Sequence, residues 1–423
     1  MNSPKSVSPP PFFGWRVVAS AFVLAVFGWG VGFYGPPVYL HAVQEARQWS
    51  VALVSTAVTT HFLVGAVVVA NLPALYRRFG LPSVTRVGVI LLALGVIGWA
   101  MAREPWQLLV ATLMSGAGWV AMGAAAVNAI IAPWFVRDRP AALATAYNGA
   151  SIGGVVFSPL WVAAIALLDF PLAATVIGVV MVMVVWLLSG FVFSRTPQSM
   201  GQMPDGEATV ATAAASTQPS LTGGLLWRDR AFLTLSAAMA LGLFAQIGLL
   251  AHLFSLLVPR LGEPAAGILM GMATLAAIVG RTAVGWLMPP GGDRRLIACA
   301  SHIVQIAGSL ALVLAAGNNL AFLVAGVLLF GAGIGNTTSL PPLIAQVEFT
   351  KADVQRVVPL IVAISQGAYA FAPAAFGAIR TLSPTAATGV FIVAAIIQAV
   401  AIVMFLAGRR RFRQDPLSTS LSR

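Results

Sequence analysis

The sequence predicts an all-α membrane protein of twelve transmembrane helices, arranged as two six-helix, pseudo-symmetric halves. Three observations carry this. Apolar residues make up 59% of the chain and charged residues 9%, the composition of a chain that lives in lipid. Long apolar runs alternate with short polar breaks along all 423 residues. The composition changes once, at a Ser/Thr/Ala/Gly/Pro-rich stretch over 194–230, which leaves six apolar runs on either side.

Residues 1–13 are Ser- and Pro-rich and read as a disordered N-terminus. The first six-helix bundle is expected over 14–193. Its first span runs over 14–40. The apolar core that opens at Val17 looks like a signal peptide, yet it continues to Leu40 with no A-x-A cleavage site, so it is read as retained. Gly28, Gly30, Gly32, Gly35 and the Pro36–Pro37 pair predict close packing and a kink there. Spans 2 to 6 follow at 50–75, 82–101, 105–132, 140–168 and 172–193. The 194–230 stretch has no apolar period and reads as a flexible linker. The second bundle is expected over 231–408, with spans at 231–257, 265–288, 296–316, 320–347, 354–379 and 385–407. A basic tail, 409–423, closes the chain. Each run can cross a hydrocarbon core of about 30 Å at about 1.5 Å per residue.

The formal charge of +12 is placed as a membrane protein places it, so the partner it implies is the lipid bilayer and not nucleic acid. With twelve spans and both termini cytoplasmic, only Arg47, Arg103, Arg260 and Arg380 fall on the far side, and Arg281 falls within the membrane. Every other Lys and Arg is cytoplasmic, a strong positive-inside bias. One cysteine, Cys299, excludes a disulfide framework within the chain and any cysteine metal site. There is no phosphate-binding loop, no nucleophile–base spacing and no metal-ligand spacing, so neither an enzyme nor a cofactor is expected. The short loops and the lack of a transit peptide point to a bacterial inner membrane, and a monomer is expected.

The two halves echo each other. Residues 63–80 (LVGAVVVANLPALYRRFG) align with residues 278–295 (IVGRTAVGWLMPPGGDRR); both close the second span of their half on a basic turn. Gly116-Ala117-Gly118 in span 4 is matched by Gly331-Ala332-Gly333 in span 10. Parallel repeats of this kind are a transporter layout. Arg281 falls where the first half has Ala66, so its task is performed once. A lone Arg in a span costs about 2.5–3.5 kcal/mol on insertion scales and should face the protein interior or a wet cavity. It shares a helical face with Gly267, Gly271, Thr274 and Gly285. It reads as an anion-capturing guanidinium, with the capping of a neighbouring helix's carbonyls as the plainer alternative.

Other polar groups lie within spans. His61, His252 and His302 could relay protons or simply bond between helices. Asn128, Asn148, Gln246, Asn336 and Gln366, with Tyr34, Tyr147 and Tyr369, could line a cavity or bond helix to helix. None of the twelve acidic residues falls well inside a span, which argues against a buried carboxylate as proton carrier.

The stretch Trp134-Phe135-x-Arg137-x-Arg139-Pro140, followed by Ala144, Gly149, Gly153-Gly154 and Pro159, resembles the span 4–5 signature of the oxalate/formate antiporter and monocarboxylate transporter branch of the major facilitator superfamily. Phe13-Gly14-Trp15-Arg16 and Arg281-x-x-x-Gly285 are similar to that branch as well. The resemblance implies that spans 1, 4, 7 and 10 line the cavity, which favours Tyr34, Asn128, Gln246, His252 and Asn336, and that Arg281 holds a substrate carboxylate. It implies an inward gate at Arg78 and Gly80 in the first half and at Asp293 and Arg294 in the second. The pattern departs where Pro73 and Arg77 stand at the family's Gly and Asp positions, and where Ala277 stands in place of an Asp.

The function expected from all this is secondary active transport of a small organic anion, a monocarboxylate, by proton symport or anion exchange. The rival expectation is an exporter of hydrophobic or amphiphilic compounds in which Arg281 is structural.

Overall fold

The computed structural model describes residues 12–206, 223–288, 292–315, 319–382 and 388–409, and among these every regular element is helical. The N-terminal helices are α1 (Gly14–Gly32), α2 (Pro36–Arg47), α3 (Val51–Phe79), α4 (Leu81–Met101), α5 (Pro105–Trp119), α6 (Ala124–Ile131) and α7 (Arg139–Phe191). One turn, α8 (Gly223–Leu226), precedes α9 (Arg230–Leu287), α10 (Arg294–Leu314), α11 (Leu320–Glu348), α12 (Lys351–Tyr369), α13 (Ala372–Leu382) and α14 (Thr388–Ala407).

Ten helical stretches among the described residues are long and apolar enough to cross a bilayer. Two are double length. α7 has 53 residues and α9 has 58, far more than the roughly 20 a crossing needs. Each breaks once, at Asp169 (φ 63°, ψ 158°) and at Gly262 (φ 74°, ψ 162°). In both, a proline follows two residues later, Pro171 and Pro264. The Gly80-Leu81-Pro82 turn between α3 and α4 repeats the geometry, with Gly80 at φ 77° and ψ 150°.

The chain reverses at these breaks. In α7, Trp161 and Phe170 both pack on Tyr39, whereas Trp186 lies under the Arg86 guanidinium near the start of α4. In α9, Ala231 bonds to Arg295 at the start of α10, and Glu263 pairs with His41 at the opposite end of the molecule.

At five helix starts a side chain satisfies a free backbone donor. Ser50, Asp229, Asp293, Asn319 and Thr350 each accept a backbone N–H at their own N-cap. Glu104 and Gln107 form a capping box.

Small residues set how closely helices approach. Gly116 of α5 sits against the His61 backbone of α3, and Gly118 against Leu92 of α4. Gly331 of α11 sits against Ala273 of α9, and Gly333 against Gln305 of α10. The two Gly-Ala-Gly runs thus make corresponding contacts in the two helix groups.

The 194–230 stretch departs from its sequence reading in its first part. Residues 198–206 fold back on the N-terminal helices. Gln202 accepts the Phe13 N–H at 2.9 Å. The Asp205 carboxylate accepts the N–H groups of Val136, Arg137 (2.8 Å) and Asp138. A short acidic turn that satisfies three backbone donors outweighs its weak intrinsic propensity. Residues 1–11, 207–222 and 410–423, parts of the expected N-terminus, linker and basic tail, lie outside the described residues.

Candidate functional site

The N-terminal and C-terminal helices meet along a seam, and the joining contacts lie toward the end away from the termini. Thr59 of α3 accepts the Ala374 N–H (3.0 Å). Ser55 underlies Gly377. His41 of α2 pairs with Glu263 at 3.3 Å. In the middle of the seam, Gly154 of α7 faces Tyr34 and Thr274; a Cβ there would lie 2.6 Å from both.

Tyr34 reaches the seam because α1 stops short. Its helix ends at Gly32, the Tyr34 N–H bonds back to the Trp29 carbonyl at 2.8 Å, and Gly35–Pro36–Pro37 restarts the chain as α2. Phe33 and Tyr34 fall in the break and are half-buried.

Arg281 lies on the returning limb of α9, on the face that carries Met270 and Thr274. It packs on Gly335 of α11, where a Cβ would be 2.9 Å from its Nε. That Nε is buried and has no hydrogen-bond partner, and no described carboxylate pairs with the guanidinium. Its electrostatic neighbour is the Tyr34 hydroxyl. The structure therefore brings Arg281, Tyr34 and Thr274 together across the seam. Asn336 follows Gly335 directly and is buried, with its Oδ1 unpartnered.

The other expected site residues lie elsewhere or are otherwise engaged. Gln246 is buried with its Oε1 unpartnered. Asn128 is exposed near the terminal end and accepts from Arg139 Nη2 at 2.7 Å. His252 sits in a separate cluster: its Nε2 donates to the Pro373 carbonyl (2.9 Å), and Arg380 donates to its Nδ1 (3.2 Å) and to Ser255 Oγ (2.8 Å). His61 is tied between Ser115 and the Gly32 carbonyl, and His302 bonds to the Ala298 carbonyl within its own helix.

At the expected gates, Arg78 lies over the Phe79 ring and Gly80 forms the positive-φ turn. Asp293 caps α10 and pairs with Arg409. Arg294 donates to the Leu343 carbonyl at 2.6 Å.

Sequence reasoning passed over Arg295. Its side chain is 1% exposed and all its donor nitrogens are engaged. Nε and Nη2 bond Glu348 at 2.6 and 2.8 Å, Nη2 also bonds the Ala231 carbonyl, and Nη1 bonds Thr234 and the Phe405 carbonyl. One guanidinium thus ties α9, α10, α11 and α14. The signal was present as opposite charges at the facing ends of spans 9 and 10. Also missed was the chain of rings beside Tyr34: Phe33 contacts Tyr34 (5.1 Å), Phe62 (5.9 Å) and Trp119 (6.2 Å), and Phe62 reaches Tyr369 of α12 (5.9 Å).

Comparison with known proteins adds the following. Residues 18–373 match the Major Facilitator Superfamily. The chain is 27% identical over 344 residues to "MFS transporter asaE" of Aspergillus flavus, covering 79% of this chain and 72% of that protein. It is 27% identical over 352 residues to "MFS-type transporter 1" of an Ophiocordyceps species, covering 80% and 73%. Among solved structures, the nucleoside transporter NupG superposes with a TM-score of 0.70 at 12% identity, covering 93% of this chain and 100% of that one. A bacterial homolog of the human lysosomal transporter Spinster, inward-facing and occupied, gives 0.69 at 14%, covering 95% and 97%. At these identities the structures speak for the fold alone.

Proposed function

The chain belongs to the Major Facilitator Superfamily, and from that premise we propose that it moves a small organic anion, a monocarboxylate, across the bilayer by alternating access. It is a multi-pass membrane transporter working by secondary transport and not an enzyme. The observation that carries the anion reading is Arg281: a guanidinium on the seam, with a buried Nε unpartnered and no described carboxylate to neutralise it. A charge in that position needs a counter-ion, and a monoanion supplies one through two parallel hydrogen bonds. Tyr34 can donate to the same oxygens, with Asn336 and Gln246 as further polar contacts.

The two doubled helices, reversing at Asp169 and Gly262, support twelve crossings, with six-helix halves over 14–193 and 231–408. The matching contacts of the two Gly-Ala-Gly runs support their pseudo-symmetry. The positive-inside bias supports cytoplasmic termini, the short loops fit a bacterial inner membrane, and the contacts gathered at the far end of the seam then correspond to a state open to the cytoplasm. Arg78, Gly80, Asp293 and Arg294 lie at that mouth as gate residues. The protein acts as a monomer, by proton symport or anion exchange. The resemblance to the oxalate/formate and monocarboxylate transporter branch supports the same substrate class.

One observation favours the rival reading, an exporter of hydrophobic or amphiphilic compounds: the cavity beside Tyr34 is lined by Phe62, Ile247, Leu250 and Met270. Uptake of a panel of radiolabelled carboxylates into proteoliposomes, with and without a pH gradient, tests the two. Saturable uptake that Arg281→Ala abolishes supports anion transport, and the gradient response separates symport from exchange. Uptake or extrusion of neutral amphiphiles that Arg281→Ala leaves intact supports the exporter.

A further inference from the structure

We propose that the transported anion is an aromatic carboxylate, its carboxyl group on Arg281 and its ring against the aromatic wall formed by Phe33, Tyr34 and Phe62. This rests on the anion reading above and narrows it.

The cation and the apolar wall belong to opposite sides of the seam. Arg281 is on α9, while Phe33 and Tyr34 stand in the break between α1 and α2, and Phe62 is on α3. The rings form one connected set. Phe33 meets Tyr34 edge-on (5.1 Å, 81°) and Phe62 edge-on (5.9 Å, 64°), and it tilts against Trp119 (6.2 Å, 39°). Phe33 and Tyr34 are only half-buried, so part of each ring remains open to a ligand. Past them lies a narrow apolar gap of about 20 Å³ whose other wall is Ile247, Leu250 and Met270.

The two ends line up along one helix face. Met270 borders the cavity, Thr274 faces Tyr34, and Arg281 follows seven residues on, about 10 Å along the axis. Helical side chains lean toward the N-terminal end of their helix, which directs the guanidinium back toward Tyr34, its electrostatic neighbour. A ligand spanning the two must carry charge at one end and apolar substance at the other. An acid as small as acetate would satisfy Arg281 and leave the rings of Phe33 and Tyr34 uncovered. Edge-on and offset ring contacts favour an aromatic body over an aliphatic one of equal bulk. Such a ligand touches both helix groups at once, so its binding favours closing the seam.

The test is uptake into proteoliposomes of three probes, phenylacetate, cyclohexylacetate and acetate, by wild type, Phe33→Leu and Arg281→Ala. The expected result is a KM for phenylacetate at least about tenfold below that for acetate and below that for cyclohexylacetate, with all uptake lost in Arg281→Ala. Phe33→Leu keeps the apolar bulk and removes the ring, and it should collapse the phenylacetate-to-acetate preference. Equal KM values for phenylacetate and acetate, with uptake still dependent on Arg281, would overturn the aromatic inference and leave the monocarboxylate reading standing. Equal KM values for phenylacetate and cyclohexylacetate would also overturn it, since bulk alone would then suffice. A Phe33→Leu protein that loses all uptake in proportion, with the preference ratio unchanged, would assign Phe33 to structure and overturn the proposal. Absence of any Arg281-dependent carboxylate uptake would remove the underlying reading itself.

Discussion

Arg380 donates a hydrogen bond to Nδ1 of His252 at 3.2 Å. A guanidinium can only donate, so Nδ1 must accept, the ring is neutral, and its one N–H lies on Nε2, which donates to the Pro373 carbonyl at 2.9 Å. The ring's other described neighbours are the Ser255 hydroxyl, which Arg380 also holds, and Gly377, beneath which lies Ser55 of α3. No carboxylate is among them. A proton on His252 would set two cations against one bond, beside the contact between α3 and α13 that closes the far end of the seam. His252→Gln can still accept from Arg380 and donate to Pro373, and it should keep the far end closed while removing titration. Cross-linking of cysteines placed at Thr59 and Ala374, the neighbouring α3–α13 contact, should therefore stay level from pH 8 to pH 5 in the wild type and in His252→Gln, and fall in His252→Ala, which can neither accept from Arg380 nor donate to Pro373. A fall with acid in the wild type alone would contradict the neutral ring, and full cross-linking in His252→Ala would remove His252 from the closed end.

The Arg295–Glu348 pair is a structural keystone of the terminal end. Breaking a buried ion pair from one side costs about 3–5 kcal/mol, because the remaining charge is left unpaired. A lysine has one nitrogen and cannot reproduce five donors in a planar fork. Arg295→Lys should therefore lower the melting temperature of the detergent-solubilised protein nearly as much as Arg295→Ala. Arg294→Ala, which loses one bond to the Leu343 carbonyl, should cost about 1 kcal/mol.

Asp169 holds φ 63° and ψ 158°, a region that belongs almost wholly to glycine and costs other residues about 1–3 kcal/mol. The same turn is made by glycine at Gly80 and Gly262. Asp169→Gly should raise thermal stability by about 1 kcal/mol, part of the relief being offset by the greater freedom of glycine in the unfolded chain. A melting curve that moves down would contradict the strain.

Asp205 supplies a pH dependence outside the membrane. Desolvation pushes its carboxyl up, but three backbone N–H bonds and the Arg137 charge outweigh this and hold it below the usual carboxylate range. A folded pKa below the unfolded value of about 3.9 gives stability that is present above that pH and lost as pH falls through the lower, folded value. The group is partly exposed, so solvent screening limits the effect to about 1 kcal/mol or less. Asp205→Asn should accelerate proteolysis in the 134–138 loop at pH 7, and the difference from wild type should fade as pH drops below about 4.

The residues announced the fold more openly than the site. Apolar runs, Pro at helix starts and the Gly-Ala-Gly echoes are local patterns, and they appear as helices, caps and close contacts. The breaks inside α7 and α9 were legible because Pro171 and Pro264 punctuate the apolar runs, and proline restarts a helix where it cannot continue one. The docked 198–206 turn was not legible, since its stability comes from backbone donors some 70 residues away. Of the site, Arg281 stood out because a charge within lipid is rare. Tyr34, Thr274 and Asn336 were named with it, but the rings beside them were not. Phe33 and Phe62 look like ordinary membrane residues, and which side chain meets Tyr34 depends on how two distant helix groups are set against each other. Arg295 was hidden beside Arg294 for a similar reason: adjacent arginines differ only in the helix face they occupy.

Direct binding measures the central claim, that Arg281 holds a carboxylate. Isothermal titration of the purified protein with phenylacetate and with its uncharged amide, phenylacetamide, compares two ligands of nearly equal shape that differ in charge. The account predicts that wild type binds the acid at least about a hundredfold more tightly than the amide, the scale of a charge-assisted bidentate bond, that Arg281→Lys retains a small part of this preference, and that Arg281→Ala has none. Equal affinity for acid and amide in the wild type, or an acid preference that survives Arg281→Ala in folded protein, would contradict it.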